Sequence, residues 1–315
     1  MRKTSASSLP ITFGHTKDSD KRKMDAVITY VNGNDPLWLA DYASHVGGEI
    51  MTKRFRDWGT LKYLLRGIER HMPFIDNVFL VVARESQVPE WIDRRAVKIV
   101  MHSDFVPSGY LPTFNCNTLE VYLHRIPGLA EQYIYFNDDM FPFRDMQEED
   151  FFVNGKAAVY FKRHFLALNM YKKICRKSDR LARRLSGAGR SIFFHRPQHT
   201  PSAMIKCACE EVFEHGAEEI KAALSTIRTE RNHNQYLFTD YLFYSGQTVR
   251  KRVSNRHFSL AVSTIGKICA FIADPDEDMA CINDVEMNDE RFNALRVAIL
   301  GSFEKAFPCK SRFEL

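Results

Sequence analysis

The 315-residue chain is 45% hydrophobic and 26% charged, a composition typical of a folded protein with a substantial core and unlike that of a disordered or fibrous chain. Its seven cysteines are an odd set whose spacings match neither a disulfide framework nor a four-ligand zinc site, so we interpret them as reduced thiols. The net charge of +5 is too small to indicate nucleic-acid binding, and the lack of a signal-like leader or of any run of about 18 apolar residues predicts a cytoplasmic protein.

The first strand is predicted shortly after a polar start to the chain. Residues 1–23 lack any periodicity, which predicts a disordered tail. Residues 25–31 (DAVITYV) form a β-branched segment typical of a strand, and the turn-forming residues 32–36 (NGNDP) close it. We therefore expect the fold to begin near residue 24.

The next hundred residues alternate between helix and strand patterns. Residues 57–72 predict an amphipathic helix that ends before Pro73, and the near-continuous apolar segments 77–83 and 96–101 predict buried strands. A second helix (115–126) and a fourth strand (133–136) follow. This order predicts an α/β fold around a mostly parallel sheet.

Polar side chains follow each predicted strand directly. They are residues 32–35, Arg84-Glu85, residues 102–104 and Asn137-Asp138-Asp139. Because ligands bind at the carboxyl ends of strands in an open α/β sheet, we expect these four loops to share one crevice.

The positive charge of the chain is concentrated in residues 161–190, where ten Lys or Arg accompany a single acid, Asp179. Apolar and small residues recur there at three- and four-residue steps, which predicts a basic helix with one apolar stripe. The stripe consists of Tyr171, Ile174, Ser178, Leu181 and Leu185. Two interpretations remain open at this point: association with an anionic membrane surface, or packing of the stripe on its own domain. Because no stacking motif accompanies the charge, no nucleic-acid partner is expected.

After residue 190 the pattern becomes mainly helical. Segments 201–224, 230–245 and 286–306 predict helices, and 257–263 predicts a short strand. Since no linker or internal repeat is present, we predict one catalytic domain over residues 24–315, with a basic helical insertion at about 160–190.

The adjacent carboxylates Asp138 and Asp139 are the strongest local chemical signal. Carboxylates together with substrate phosphates are the usual ligands of Mg²⁺ at a nucleotide diphosphate, although acidic pairs at strand ends are also common as turn residues. Arg54, Arg56 and Asp57 precede the first long helix and suggest either a phosphate grip or a helix cap with solvated arginines. The two histidines in residues 195–201, between stiffening prolines, offer a candidate general base.

Four blocks of the chain resemble the Stealth family, the phosphotransferases of bacterial capsule synthesis that also include the animal lysosomal-enzyme N-acetylglucosamine-1-phosphotransferase. They are DAVITYVNGNDP, the segments from RFRDWGTLKYLLRGIERHMPFIDNVFLVV to YIYFNDDMF, FFHRPQHTPSAM with IRTERNHNQYLFTDY, and CINDVEMND. The resemblance implies a Rossmann-like fold similar to type A glycosyltransferases, a UDP-sugar donor, and Mg²⁺ or Mn²⁺. It also implies transfer of hexose-1-phosphate or N-acetylhexosamine-1-phosphate to a lipid-linked oligosaccharide or polysaccharide acceptor.

The same resemblance assigns expected roles to individual residues. His199 corresponds to the family's proposed base and Arg228 to its phosphate-binding arginine, with Asp139 as a further catalytic residue. Metal ligation would fall to Asp138, Asp139 and Asp284. The expected substrate-binding residues are Asn32, Gly33, Asp35, Arg56, Asp57, Asn115, Asn117, Glu120 and Asn283.

Two other functions fit the same residues. An ordinary metal-dependent glycosyltransferase would use the same donor but would release UDP, and the fold alone does not separate the two reactions. A binding protein for nucleotide or glycan without catalysis is the second alternative.

Overall fold

The computed structural model describes residues 23–47 and 54–315. The disordered tail predicted for residues 1–23 therefore lies almost wholly outside the described residues. The strands are β1 (Met24–Thr29), β2 (Asn77–Val82), β3 (Val97–Met101), β4 (Gln132–Asn137), β5 (Met140–Pro142), β6 (Phe152–Val153), β7 (Lys156–Val159), β8 (Phe161–His164), β9 (Phe194–Pro197), β10 (Ser202–Ile205), β11 (Thr248–Arg250), β12 (Asn255–Ser259) and β13 (Met279–Asn283). The helices are α1 (Pro36–His45), α2 (Leu61–His71), α3 (Cys116–Glu120), α4 (Met170–Leu185), α5 (Lys206–Ala222), α6 (Tyr236–Tyr244), α7 (Ile265–Ala273) and α8 (Asp289–Ala306).

The central sheet has five strands in the order β10-β4-β1-β2-β3. β4, β1, β2 and β3 are parallel to one another, and β10 is antiparallel to β4 at one edge. The predicted α/β class with a mostly parallel sheet is confirmed. The register pairs Thr29 with Asn137 at the carboxyl ends of β1 and β4, so the residues that follow these two strands emerge side by side.

The core lies on both faces of this sheet, as the near-continuous apolar strands predict. Ala26 and Ile28 of β1 point into one apolar cluster together with α2 and α8, whereas Val27 points into a second cluster with α5 and α6. Three smaller sheets surround the central one: β11-β7-β6, β12-β13-β5 and the hairpin β8-β9.

Several predicted boundaries are wrong, each for a local reason. The first long helix begins at Leu61 instead of Asp57, because the Asp57 side chain accepts a hydrogen bond from the Gly59 N–H at 2.8 Å and holds a turn there. The predicted helix at 115–126 is only the short α3 followed by tighter turns, since residues 117–124 are buried on all sides and tertiary contacts override a one-sided helix.

The carboxyl-terminal half contains more strand than the sequence predicted. Residues 202–205 form the edge strand β10 instead of the first turn of a helix, and the helices predicted at 230–245 and 286–306 are the shorter α6 and α8. The strand predicted at 257–263 is β12, which begins two residues earlier and ends four residues earlier. Helices α1 and α7 and strand β13 were not predicted.

The apolar stripe of the basic helix α4 packs inside the protein. Ile174, Ser178 and Leu181 are buried, and the helix lies against α6 and β9. Of the two interpretations left open, packing on its own domain is the one that the structure supports, so this stripe is not available to a membrane. No helix among the described residues is long and apolar enough to cross a bilayer.

Candidate active site

A cavity of about 1060 Å³ lies at the carboxyl ends of β1 and β4. The residues after these strands form its floor, and five further segments form its walls: the loop before α2, the start of α3, the hairpin β8-β9 with the residues after it, the loop around residue 228, and the end of β13. The segments that follow all four strands of the predicted crevice, β1 to β4, contribute lining residues, as predicted, but the residues differ in part. After β3 and β4 they are the predicted His102 and residues 137–139, whereas after β1 and β2 they are neighbours of the predicted residues: Tyr30, Val31, Ala83 and Gln87.

Carboxylates converge on the cavity floor. The pKa of Asp138 is raised to about 7, first by burial and then by the negative charges of Asp139, Asp57 and Asp284. One carboxylate oxygen of Asp139 is buried without a hydrogen-bond partner among the described residues, and the other accepts from the thiol of Cys281 at 3.3 Å. This uncompensated negative charge on hard oxygen ligands fits a divalent cation held by Asp138 and Asp139.

Asp284, the third predicted metal ligand, also lines the cavity but already has protein partners. Its two oxygens accept from the indole Nε1 of Trp58 at 3.0 Å and the backbone N–H of Val285 at 2.6 Å. The guanidinium of Arg56 lies 3.7 Å away and donates to the Met287 carbonyl at 3.0 Å. Asp284 therefore fastens the loop before α2 to the end of β13. Asn283, beside it, lines the cavity too.

His199 lies above the acidic floor. Burial lowers the pKa of its imidazole, with Asp139 opposing that shift and His257 and Arg196 adding to it. A ligand atom of His199 lies within 4.8 Å of one on Asp139 and one on Cys281. Its Nδ1 is 3.4 Å from the Tyr236 hydroxyl, which orients the ring. A neutral, oriented imidazole beside a cavity can accept a proton at neutral pH.

Arg228 forms a second wall with Cys116 and Glu120. Its guanidinium donates to the Cys116 sulfur, and burial raises the pKa of that thiol to about 11, so the thiol stays protonated. Burial likewise raises the pKa of Glu120, whose carboxyl accepts from the Gln235 N–H at 2.9 Å. The pKa of Arg54 is lowered by burial and by the nearby Arg228. Two guanidiniums close together at one wall favour binding of an anion such as phosphate.

Asn115 and Asn117 both line the cavity, as predicted, but differ in their hydrogen-bond partners. Asn115 is buried and caps α3, and its amide donates to the Asn232 side chain at 3.1 Å, which ties the loop carrying Arg228 to the start of α3. The Asn117 amide nitrogen is buried without a partner among the described residues and lines the cavity, so it is a donor available to a ligand.

The three predicted residues of the first loop do not line the cavity. Gly33 donates its N–H to the Phe55 carbonyl at 2.8 Å, and a Cβ at this position would lie only 2.2 Å from that oxygen. Asp35 caps α1 and accepts from the Ser86 hydroxyl at 2.6 Å, while the Asn32 N–H donates to Gln87 at 3.3 Å. Gly33 therefore holds the loop that carries Arg56 and Asp57, and Asn32 and Asp35 hold the segment after β2, instead of facing the cavity.

The structure adds lining residues that the sequence reasoning missed. They are Tyr30, Cys116, Lys162, Tyr171, Arg196, Arg252, His257 and Ile282. The thiol of Cys281 lies next to them, 3.3 Å from Asp139. The pattern of an apolar strand followed by Asn-Asp occurs twice, at 133–138 and at 279–284, and this repetition could have indicated the second strand, β13.

Comparison with known proteins finds relatives that are all named as phosphotransferases of bacterial polysaccharides. A family model described as Stealth protein CR2, conserved region 2, matches residues 54–159. Capsular polysaccharide phosphotransferase WcwK of Streptococcus pneumoniae is 29% identical over 334 aligned residues, which cover 92% of this chain and 98% of that protein. Receptor polysaccharide phosphotransferase WefC of Streptococcus oralis is 40% identical over 139 residues, 41% of each chain. Capsular polysaccharide phosphotransferase CpsJ of Streptococcus thermophilus is 39% identical over 142 residues, 42% of this chain and 59% of that one.

The matches to WefC and CpsJ thus span between about two fifths and three fifths of those relatives, whereas the match to WcwK is nearly full length. Among solved structures, the galactosyltransferase LgtC in complex with donor and acceptor sugar analogs aligns with 87% of this chain and 96% of that chain, at a TM-score of 0.42 and 12% identity. The α/β assignment rests on the strand order of the sheet itself. The family model and the relatives bear out the resemblance seen in the four sequence blocks: residues 54–159 match a conserved region of the Stealth family, and the chain is similar over most of its length to a capsular polysaccharide phosphotransferase.

Proposed function

We propose that the protein transfers hexose-1-phosphate or N-acetylhexosamine-1-phosphate from a UDP-sugar to a hydroxyl of a lipid-linked oligosaccharide or polysaccharide, in capsule or exopolysaccharide synthesis. The observation that carries this proposal is the meeting of the acidic floor, the imidazole of His199 and the guanidinium of Arg228 in one cavity. The names of the relatives, phosphotransferases of capsular and receptor polysaccharides, support the reaction class.

The reaction forms one phosphorus–oxygen bond and breaks another. The acceptor hydroxyl oxygen attacks the β-phosphorus of the donor, its proton passes to His199, and the bond from the β-phosphorus to the bridging oxygen breaks so that UMP leaves. The bond from the sugar to its phosphate remains intact, and the anomeric configuration is therefore retained. Positioning and charge stabilisation supply most of the rate in such a transfer.

The remaining residues bind and orient the donor. Arg228 and Arg54 would contact phosphate oxygens, and the unpartnered amide of Asn117 would donate a further hydrogen bond. A Mg²⁺ or Mn²⁺ ion held by Asp138 and Asp139 would neutralise negative charge on the pyrophosphate. The described cysteines are all free thiols, which suits the reducing cytoplasm as the compartment of the reaction.

An ordinary glycosyltransferase reaction would attack the anomeric carbon in the same cavity and would release UDP. Incubation of the protein with Mg²⁺, a panel of nucleotide sugars and oligosaccharide acceptors, followed by chromatography of the released nucleotide, separates the two. UMP together with a phosphodiester product supports our proposal, whereas UDP refutes it in favour of glycosyl transfer. Binding of the donor without any released nucleotide supports a binding protein.

A further inference from the structure

An exposed apolar surface lies at the end of the β8-β9 hairpin, away from the stripe of α4. Phe165, Leu166, Leu168 and Ile192 have exposed fractions of 51%, 53%, 77% and 66%. Apolar side chains scattered singly on a surface are ordinary, but these four belong to two adjoining loops. We call them the apolar tip.

The two loops of the apolar tip are held together by the protein. β8 and β9 pair up to His164 and Phe194, so residue 165 and the residues before 194 leave the hairpin side by side. The guanidinium of Arg176 donates to the carbonyls of Phe165 at 2.8 Å and Ile192 at 3.2 Å. The rings of Phe165 and Phe193 lie 5.6 Å apart. The tip is therefore a built feature of the fold and not a pair of independent loops.

The exposed charged residues near the apolar tip are basic, and residues 161–193, which contain the tip, include no exposed acid. Lys162, Arg163 and Arg190 are exposed, and the Arg163 guanidinium lies 4.3 Å from the centre of the Phe193 ring. Asp179, the single acid of residues 161–193, is buried and pairs with Arg183 at 2.9 Å. Two acids from elsewhere in the chain pair with basic residues of α4: Glu230 with Lys173 at 2.7 Å, and Glu219 with Arg184.

We propose that the apolar tip docks on an anionic lipid surface, with the leucines in the interfacial region and the basic residues at the headgroups. Exposed apolar side chains inside a cationic rim match both components of such a surface. A second copy of this chain would bring the same positive charges against the rim, which opposes pairing of two tips. The proposal rests on this surface alone and not on the transfer reaction.

The same hairpin reaches the cavity. Lys162 of β8 lies opposite Arg196 of β9, and both line the cavity, as do Asn169 and Met170 at the start of α4. A lipid surface held at the apolar tip is therefore next to one wall of the cavity. For the proposed reaction, this geometry suits an acceptor that is itself carried by a lipid.

The test is co-sedimentation of the full chain with vesicles of equal parts phosphatidylglycerol and phosphatidylcholine, compared with vesicles of phosphatidylcholine alone. We expect binding to the anionic vesicles that weakens as salt rises. The double variant Leu166→Ser/Leu168→Ser should lower the partition coefficient by at least about tenfold, because each leucine contributes apolar area to the interface. The matched control Val262→Ser/Val297→Ser removes side chains that are 83% and 72% exposed elsewhere, and it should bind as the unaltered protein does.

A second readout does not depend on serine substitutions. A Leu168→Trp variant should show a blue shift of its added emission with anionic vesicles and none with neutral ones. The proposal is overturned if the unaltered protein ignores anionic vesicles, if the tip and control variants bind equally, or if the tip instead drives dimerisation without lipid. Nucleotide release with a soluble acceptor should be equal in both serine variants, so failure of the membrane proposal is distinguishable from failure of the proposed function.

Discussion

Replacement of Asp138 by Asn should stabilise the protein in the absence of metal. In the unfolded chain this carboxyl loses its proton above pH 3.8, whereas in the folded protein it keeps the proton up to about pH 7. The folded state therefore binds the proton more tightly, so its stability falls as pH rises through this interval and stays low above it. Each pKa unit corresponds to about 1.36 kcal/mol, which gives a cost of about 4 kcal/mol at pH 8. Since the carboxyl is only partly shielded from water, we expect a gain of about 2 to 4 kcal/mol from the neutral amide.

Urea unfolding of both proteins in EDTA, followed by circular dichroism between pH 5 and pH 8, measures this gain. It should be about a third as large at pH 5 as at pH 8, where it is largest. The control Asp274→Asn removes the same charge from an exposed position and should change stability little at any pH.

Addition of Mg²⁺ completes the test. Metal at about 100 times its dissociation constant should stabilise the unaltered protein by about 2.7 kcal/mol and the Asp138→Asn variant by much less. A variant that is less stable than the unaltered protein at pH 8, or a gain that does not vary with pH, would refute the electrostatic reasoning. Equal stabilisation of both proteins by Mg²⁺ would remove Asp138 as a ligand.

Three further predictions concern the site. His199→Ala should lower the rate of nucleotide release about 10²- to 10⁴-fold with little change in donor affinity. Because burial lowers the pKa of this imidazole, kcat/KM of the unaltered protein should fall with acid only below pH 6.5. Near-normal turnover of the variant would exclude His199 as the base. Zn²⁺ added to the Mg²⁺-supported reaction should inhibit it by binding the thiol of Cys281, the imidazole of His199 and the carboxylate of Asp139. The Cys281→Ala variant should be at least about tenfold less sensitive to Zn²⁺ than the unaltered protein. Equal inhibition of the two proteins would contradict this assignment. Gly33→Ala should lower the free energy of unfolding in urea by about 1 to 3 kcal/mol and reduce activity, because the added Cβ would displace the Phe55 carbonyl. The control Gly109→Ala adds a Cβ in open space and should change neither quantity. Similar effects of the two changes would refute this explanation.

The sheet could be predicted from the sequence because its strands are short apolar segments bounded by turns. β2 and β4 are buried at almost every position, so no other element competes for their pattern. The helix predicted at 115–126 failed for the opposite reason: burial on all sides removes the one-sided periodicity that defines a surface helix. Edge strand β10 has four buried residues directly before a helix. Such a short apolar segment fits a strand and the first turn of a helix equally well, so the sequence pattern does not separate the two.

The candidate site was predicted in part. Asp138, Asp139, His199 and Arg228 meet in one cavity, as the resemblance implied. The position of Cys281 beside Asp139 depends on the antiparallel pairing of β13 with β5, a contact between residues 142 positions apart that no local pattern encodes. The partners of Asp284 depend in the same way on a loop that lies more than two hundred residues earlier in the chain.

These distant partners have a consequence for synthesis of the protein. The Trp58–Asp284 hydrogen bond joins residues 226 positions apart, and Arg66 pairs with Glu314 across 248 positions. Such contacts give the chain a high contact order, and the loop they close must lose its entropy before they form. While the ribosome is still translating the segment before β13, one wall of the cavity is missing and the apolar face of α2 lacks its cover from α8. The nascent chain is therefore expected to need protection from aggregation until its last helix emerges, and a truncation before residue 284 should give no partially active enzyme.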